Sequence, residues 1–449
     1  MYKEKFGDLF KYVPKGVWLM AFALSVQFSP VLVYKIKGGA VICSIFALGM
    51  LLCKSKFCRE GFWGGLVRAI SENSGKCMLL FVFYSLCVAA WFYAPYDITY
   101  SDIQHLWKKM LLNIVAVLVG LFVSQYPYFI KPILILCIPF ALYQTGLMGV
   151  VAAEDVEARS FLRNEEVGGI LGGFTQWESI AMLSVMLVGL LMRVKSKIIK
   201  ILLVIAVVFF SWTTLKAGYA TPFALLIIGY GMIGFGYLCF GSSRRTNAMV
   251  KLSVFSLFIV GVILIFYKIV KSVETGDMAS ESVASRFYMF MLDPRGGGYE
   301  VEHSRFRGIP IALESFCKWP IFGGGGEYPS PRYDVSAGHY SLFDYFAHYG
   351  VVGGGAYLIF VLLTMGYLFK RYKRTRDWLD LAKFSVSVMF FVGGVVNPGW
   401  RELPMSTYLI LCAPFKNKRE DSNRYAGIPV SDWDMRYNVM RGNEFGRVM

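Results

Sequence analysis

Residues 304–326 read Ser304-Arg305-Phe306-Arg307-Gly308-Ile309-Pro310-Ile311-Ala312-Leu313-Glu314-Ser315-Phe316-Cys317-Lys318-Trp319-Pro320-Ile321-Phe322-Gly323-Gly324-Gly325-Gly326. A little further on, Gly338-His339-Tyr340 precedes Ser341-Leu342-Phe343-Asp344-Tyr345-Phe346-Ala347-His348-Tyr349-Gly350, and an apolar stretch follows. An arginine pair, a proline-apolar-apolar-glycine turn and a Gly-His pair therefore share one polar loop between strongly apolar segments. Polar groups cluster in this way when a membrane protein builds a site at the membrane surface, because the flanking segments have no water in which to place them.

The whole chain supports that frame. Of 449 residues, 56% are hydrophobic and 17% are charged, against about 25% charged in an ordinary soluble domain. Mean hydropathy is +0.51. Apolar windows long enough to cross a hydrocarbon core of ~30 Å recur along the chain. They fall at about 16–34, 38–53, 77–95, 110–124, 132–149, 177–192, 198–213, 217–240, 250–267, 349–369, 383–396 and 403–414. The expectation is an all-α, polytopic transmembrane bundle of about twelve spans. Residues 1–267 carry spans one to nine and 268–348 form a long, partly helical outside loop. Residues 349–415 carry spans ten to twelve, and 416–449 form a polar tail.

The formal net charge of +16 invites a nucleic-acid reading, but the positions of the basic residues oppose it. They crowd alternate connections: Lys54, Lys56, Arg59 and Arg68; Arg193, Lys195, Lys197 and Lys200; Lys370, Arg371, Lys373, Arg374 and Arg376. The connections between, such as Asp97 to Asp102 and Glu154 to Glu166, are acidic or neutral. This is the positive-inside pattern, which places both termini in the cytoplasm. Basic residues form no stripe on a folded domain, so no nucleic-acid partner is expected; contact with anionic membrane lipid is. The first apolar run lacks a small-residue cleavage site and reads as a retained signal-anchor. Eight of nine cysteines fall within spans or on the inner side, leaving Cys317 alone outside, so no disulfide is expected.

Two outside loops depart from otherwise short connections. The first, about 150–176, carries Glu154, Asp155, Arg159, Arg163, Glu165 and Glu166. The second, 268–348, is the longest, and a loop of that length in a compact protein is functional or disordered. Its aromatic content and apolar periodicity favour function. Within it, 310–318 is expected to be a helix: Pro310 suits the first turn, and Ile309, Leu313 and Phe316 share a face that would lie on the bundle. Arg305 and Arg307 then stand just before the helix N-terminus.

Several side chains carry possible chemistry. Arg305 and Arg307, with Arg286, Arg295 and Arg332 in the same loop, suit pyrophosphate, since guanidinium donates paired hydrogen bonds and stays charged. Solvated loop charge is the plain alternative. His339 lies where the loop returns to the membrane, and imidazole serves as a general base near neutral pH. His348, nine residues on, would sit opposite it on a helix, which argues against a two-histidine metal site; no cluster has zinc spacing. The glycine run from Gly323 to Gly326 lacks the Gly-Lys-Ser/Thr of a nucleotide loop. It suits a tight turn, with backbone amides to an anion as the further option. Glu178 and Lys216 lie at expected outer ends of spans, where polar groups are costly and often functional unless they reach water.

These motifs together resemble the O-antigen ligase and O-antigen polymerase superfamily of bacterial membrane glycosyltransferases. Arg305 stands seven residues before Ala312-Leu313; Pro320-Ile321-Phe322-Gly323-Gly324-Gly325 matches the family's Pro-Leu-Leu-Gly-x-Gly turn. Gly338-His339-Tyr340 matches its His motif, and Gly350-Val351-Val352-Gly353 matches its return into a span. Gly172-Gly173-Phe174-Thr175-Gln176-Trp177-Glu178 echoes an earlier element. The match covers roughly residues 163–369. Tyr340 replaces the usual Asn, Gln176-Trp177-Glu178 replaces Asn-Pro-Asn, and Lys216 stands where relatives often have Ser-Arg, the marks of a divergent member.

The resemblance implies a metal-independent, cofactor-free, inverting transfer from an undecaprenyl-pyrophosphate-linked oligosaccharide at the outer face of the bacterial inner membrane. Arg305, with Arg163, Arg307 and Arg286, would hold the pyrophosphate. His339 would orient or deprotonate the acceptor hydroxyl, and Gly323, Gly325, Glu178 and Lys216 would complete the substrate site. A chain-length regulator or a flippase would be a natural partner. Polymerase, making O-antigen, capsule or exopolysaccharide, is the first expectation. A ligase moving the glycan to lipid A-core or another surface acceptor is the second. A transporter of lipid-linked sugar has the same twelve-span layout, but the sequence shows neither paired half-repeats nor ionisable groups deep within spans.

Overall fold

The computed structural model describes residues 15–26, 28–29, 45, 49, 61–93, 117–118, 120–125, 130–154, 174–194, 196–216, 220–240, 308–324, 341–396 and 402–415. Among these residues the chain is all helical, without a strand. In chain order the helices are α1 (Lys15–Val26), α2 (Gly61–Ile70), α3 (Asn73–Tyr93), α4 (Ile130–Glu154), α5 (Phe174–Arg193) and α6 (Lys197–Lys216). They continue as α7 (Ala220–Phe240), α8 (Gly308–Lys318), α9 (Ser341–Gly350), a π-helical turn (Val351–Gly355), α10 (Ala356–Thr375), α11 (Trp378–Val396) and α12 (Glu402–Cys412).

Four stretches are long and apolar enough to cross a membrane: Thr175–Arg193, Lys197–Leu215, Leu342–Thr375 and Trp378–Val396. Ile133–Met148 and Thr221–Gly236 are shorter apolar helices. A membrane protein built of helices is therefore the statement that length and composition support, and the count of twelve goes beyond it. The expected spans at 38–53 (but for residues 45 and 49) and 250–267, and the tail from 416, lie outside the described residues.

α5 is the hub. It packs against α6, α7, α11 and α12, while α11 in turn meets α7, α10 and α12. Close approach of α5 and α11 depends on Gly189, where a Cβ would stand 2.5 Å from the Cβ of Ala382; small residues draw helices together where no hydrophobic drive separates lipid from protein. α6 is peripheral. Ile198, Ile201, Leu202, Ile205, Val208, Trp212 and Leu215 are exposed along it at the three-to-four spacing of one face. That stripe is the surface such a helix gives to lipid.

Hydroxyl groups stitch the helices. The Tyr230 hydroxyl lies 2.7 Å from Ser184 Oγ and 2.8 Å from Ser211 Oγ, joining α7 to α5 and α6. Tyr408 Oη donates to Thr364 Oγ1 at 2.8 Å and lies 3.2 Å from Ser387 Oγ, joining α12 to α10 and α11. Tyr372 Oη donates to the Gly236 carbonyl at 3.0 Å, joining α10 to α7. Such bonds contribute about 0.6–2 kcal/mol each in an apolar surround.

Ionisable groups are nonetheless buried near the ends of the described helices. Arg371, Asp380 and Lys383 are all buried, and Glu178 is fully buried in α5. Arg371 Nε donates to Asp380 Oδ1 at 2.9 Å, Thr375 Oγ1 donates to Asp380 Oδ2 at 2.7 Å, and Lys383 Nζ stands 4.0 Å from Asp380 Oδ1. α11 starts at Trp378 rather than at residue 383, and Asp380 in its first turn is met by both cations and by Thr375. The carboxylate enters the helix because it brings its own partners. Asp377 caps α11 by accepting from the Leu379 N–H at 2.8 Å, and pairs with Arg193 at 3.3 Å. The cluster lies in the last turns of α10 and the first of α11, at the end of the bundle where basic residues crowd. That is unlike the mid-span placement a transporter site would use.

Removing Asp380 alone would take the carboxylate away from two buried cations. Asp380→Leu is expected to lose about 3–5 kcal/mol. The triple variant Arg371→Met, Asp380→Leu, Lys383→Met should recover most of that loss, as followed by denaturant unfolding in detergent. A triple variant no more stable than the single one would show that the cluster is not one electrostatic unit.

Candidate functional site

The helix inside the long loop begins at Gly308, two residues before the expected start, with Pro310 in its first turn. Its buried face differs from expectation. Ala312 is buried against Ala347, with Ile311 and Phe343 beside them, while Leu313 is 45% exposed. The reason is size: alanine facing alanine lets α8 and α9 approach closely, and this contact turns Leu313 away. Phe316 meets Phe346 edge-on at 5.7 Å. The surface pair Lys318–Glu314, at 3.0 Å, is exposed and adds little.

Pro320 cannot continue the helix, and the chain turns. All four carbonyls from Trp319 to Phe322 accept a hydrogen bond. Trp319 O takes the Gly323 N–H at 2.8 Å, Pro320 O takes Val351 N–H at 2.9 Å, and Ile321 O takes Val352 N–H at 3.2 Å. Phe322 O takes Tyr84 Oη of α3 at 2.6 Å. Gly324 N–H in turn donates to Ala347 O at 2.7 Å.

The other side of this contact has its own need for it. Gly350 has φ +59°, which ends α9 and opens the π-helical turn. The first N–H groups of a new helical segment have no partner within it. At Val351 and Val352 the turn's carbonyls supply that partner. Gly323, at φ +80°, is equally constrained. A Cβ on Gly323 would lie 2.3 Å from the His348 carbonyl, and one on Gly350 would lie 2.3 Å from the Ile321 carbonyl. Each glycine is the clearance through which the other's backbone passes. The two glycine motifs noted in the sequence are thus halves of one brace.

Behind the brace, Phe81 of α3 stacks on Tyr345 at 5.3 Å and contacts Tyr357 at 4.5 Å and Tyr349 at 5.6 Å. Gly353 leaves room for the ring of Tyr84, which a Cβ would approach to 2.7 Å. This aromatic cluster fixes α9 and α10 on α3. The helix accordingly begins at Ser341, ahead of the expected span boundary at 349.

Among the residues expected to form the site, Gly323 is in the brace, with its N–H committed to Trp319 O. Glu178 belongs to another group. Gln176, Trp177 and Glu178, at the start of α5, are fully buried, so Glu178 does not reach water. Gln176 Nε2 donates to Phe28 O at 2.8 Å, and Ser29 Oγ donates to Gln144 Oε1 at 3.2 Å, so α1, α4 and α5 meet through polar contacts at this end. Lys216 ends α6, and its side chain is not among the described groups. Arg163, Arg286, Arg305, Arg307, Gly325 and His339 lie outside the described residues. Tyr84 was not singled out by sequence; a lone tyrosine in an apolar helix carries no signal of the carbonyl it reaches.

Compared with family models and with curated proteins, the chain matches none.

The brace makes a direct prediction. Gly323→Ala and Gly350→Ala are each expected to cost about 1–3 kcal/mol of local stability. Trypsin cleavage at the exposed Lys318 in nanodiscs should rise by about tenfold or more, since 1.4 kcal/mol of opening is a factor of ten. Gly366→Ala, where a Cβ would meet nothing within 4 Å, should leave the rate unchanged. Unaltered cleavage in both brace variants would refute the role assigned to the glycines.

Proposed function

We propose that the chain is a membrane glycosyltransferase that polymerises undecaprenyl-pyrophosphate-linked oligosaccharide units at the outer face of the inner membrane, with both termini in the cytoplasm. The reading rests on the motif resemblance. The observation that carries it furthest is the brace between Trp319–Gly324 and Ala347–Val352. Gly324 is tied to Ala347 and Ser341 opens α9, so both flanks of segment 325–340, which bears His339, are held on one helix pair. On the other side, α8 leads directly from Arg307, and its N-terminal N–H groups add favourable potential for an anion. The two motifs on which the chemistry depends thus flank one rigid element. Reactive groups need that arrangement, because misplacement by an ångström loses much of the rate.

In the proposed reaction an acceptor sugar hydroxyl attacks the anomeric carbon of the donor from the face opposite the pyrophosphate. The new C–O bond forms as the bond to the pyrophosphate oxygen breaks, inverting the centre. His339 accepts the hydroxyl proton. Arg305, assisted by Arg307, Arg163 and Arg286, stabilises the charge gathering on the departing undecaprenyl pyrophosphate. No metal or cofactor takes part in this scheme.

Deletion of the gene followed by a gel of the host's surface glycans tests the proposal. Wild type should restore a long ladder. His339→Ala and Arg305→Ala, at normal protein level, should leave surface lipid with a single repeat unit. Bare surface lipid with polymer held on its carrier would assign a ligase instead. A ladder unaffected by the deletion, or by both substitutions, would remove the enzyme reading.

A further inference from the structure

The turn that forms the brace has two unlike sides. Its carbonyls point inward and are all bonded, yet its side chains point out: Trp319 is 52% exposed, Ile321 58% and Phe322 65%. Val351, bonded through its N–H to Pro320 O, is 53% exposed, and Leu313 of α8 is exposed as well. These five side chains make a bulky apolar surface on a segment placed by sequence in an aqueous loop. We propose that this surface is seated in the interfacial layer of the lipid bilayer, and that it sets the depth at which α8 and the turn lie.

Three observations favour lipid as the occupant. The first is continuity. The backbone bonds from Val351 and Val352 put Pro320 and Ile321 beside the point where the apolar stretch Leu342–Thr375 resumes after the break at Gly350. Further along that span Ile359, Leu362 and Leu363 are exposed, eight, eleven and twelve residues after Val351, on its side of the helix. The surface of the turn thus extends the lipid-facing side of an apolar helix by one more layer.

The second is backbone chemistry. Irregular chain bordering hydrocarbon is tolerated only where its polar groups find internal partners, since lipid offers none. A turn meant for water has no such need. Here Pro320 contributes no N–H to satisfy, the N–H groups of Trp319, Gly323 and Gly324 are bonded, and the carbonyls of 319–322 are all taken, one of them by a tyrosine on a third helix; the amides of Ile321 and Phe322 are the groups left for the polar headgroup layer to meet.

The third is residue type. Tryptophan is enriched at the level of the headgroups, where its indole meets both phases. Lys318 and Glu314 place charged heads beside it on the same helix, both exposed and paired at 3.0 Å. An apolar edge flanked by charge is the pattern of a segment lying in the interface plane. The seat does not depend on what chemistry the loop performs.

The test uses full-length protein in nanodiscs of phosphatidylethanolamine and phosphatidylglycerol. Phe322→Cys in a background lacking the native cysteines carries an environment-sensitive nitrobenzoxadiazole label. Its emission is challenged with doxyl-labelled lipid and with aqueous iodide, and Leu362→Cys is the span reference. Doxyl quenching at 322 within about twofold of that at 362, with little effect of iodide, is the expected result for a residue buried in the headgroup and acyl boundary. Strong iodide quenching would place the turn in water and overturn the proposal. Protection from both quenchers would mean that another part of the loop covers the surface, and would overturn it equally. Should the cysteine-free background not fold, brominated lipid on otherwise native protein answers the same question. Trp319→Phe should then reduce the lipid-quenched share of tryptophan emission, and an unchanged share would count against the seat.

Discussion

The hydrogen bonds from Val351 and Val352 to the carbonyls of Pro320 and Ile321 join two stretches of chain that each lack something alone. A helix that breaks and restarts exposes donors; a turn that follows a proline exposes acceptors. In water either defect is mended by solvent. At the edge of an apolar bundle the nearest remedy is the other stretch, and an unmet backbone group costs about 1–3 kcal/mol. The contact is therefore more than adhesion between α8 and α9. It is the condition under which Gly350 can break the helix at all, and the break lets α9 carry its aromatic face onto Phe81 while α10 runs on into the bundle.

The same demand for internal partners organises the opposite end. Arg371, Asp380, Thr375 and Lys383 form a buried polar group in the α10–α11 hairpin, and Tyr372 and Arg193 tie that hairpin to α7 and α5. Between the two ends, serine and threonine hydroxyls bond back to their own helix or to a tyrosine on the next. Polar side chains here supply what apolar attraction supplies in a soluble core. Lipid is as apolar as leucine, so burial of a leucine against another helix separates the packed state from the dispersed one only weakly.

Much of this was legible in the chain. Apolar windows located most of the described helices, though not α2, and four of the described stretches are long and apolar enough to cross a membrane. The helix over 310–318 was legible from Pro310 and its periodicity, and the glycine motifs announced special backbone conformations. What escaped was whatever depends on a partner distant in sequence. The apolar window began at residue 383, whereas α11 begins at Trp378 and takes in Asp380, whose charge Arg371 meets. Periodicity placed Leu313, with Ile309 and Phe316, on the face toward the bundle. The facing position is Ala347, so closeness of approach decided against the larger side chain. Glu178 could have reached water at the end of a helix, but at the start of α5 it is fully buried. As for the candidate site, sequence pointed to two glycine motifs separately; that they fill each other's clearance required coordinates.

A turn of this kind separates two tasks that usually compete. Holding a loop rigidly calls for many contacts with the bundle, and contacts made through side chains would consume the apolar groups of Trp319, Ile321 and Phe322. The brace makes its contacts through backbone instead, with glycine at the two points of closest approach. The side chains remain on the outer surface, available to whatever medium lies there. Backbone hydrogen bonds fix distance and angle more tightly than apolar contact does, so rigidity belongs to the inner side and adaptation to the outer. Replacing either glycine with a larger residue would push the two segments apart by more than the bonds allow, and rigidity and outward placement would be lost together.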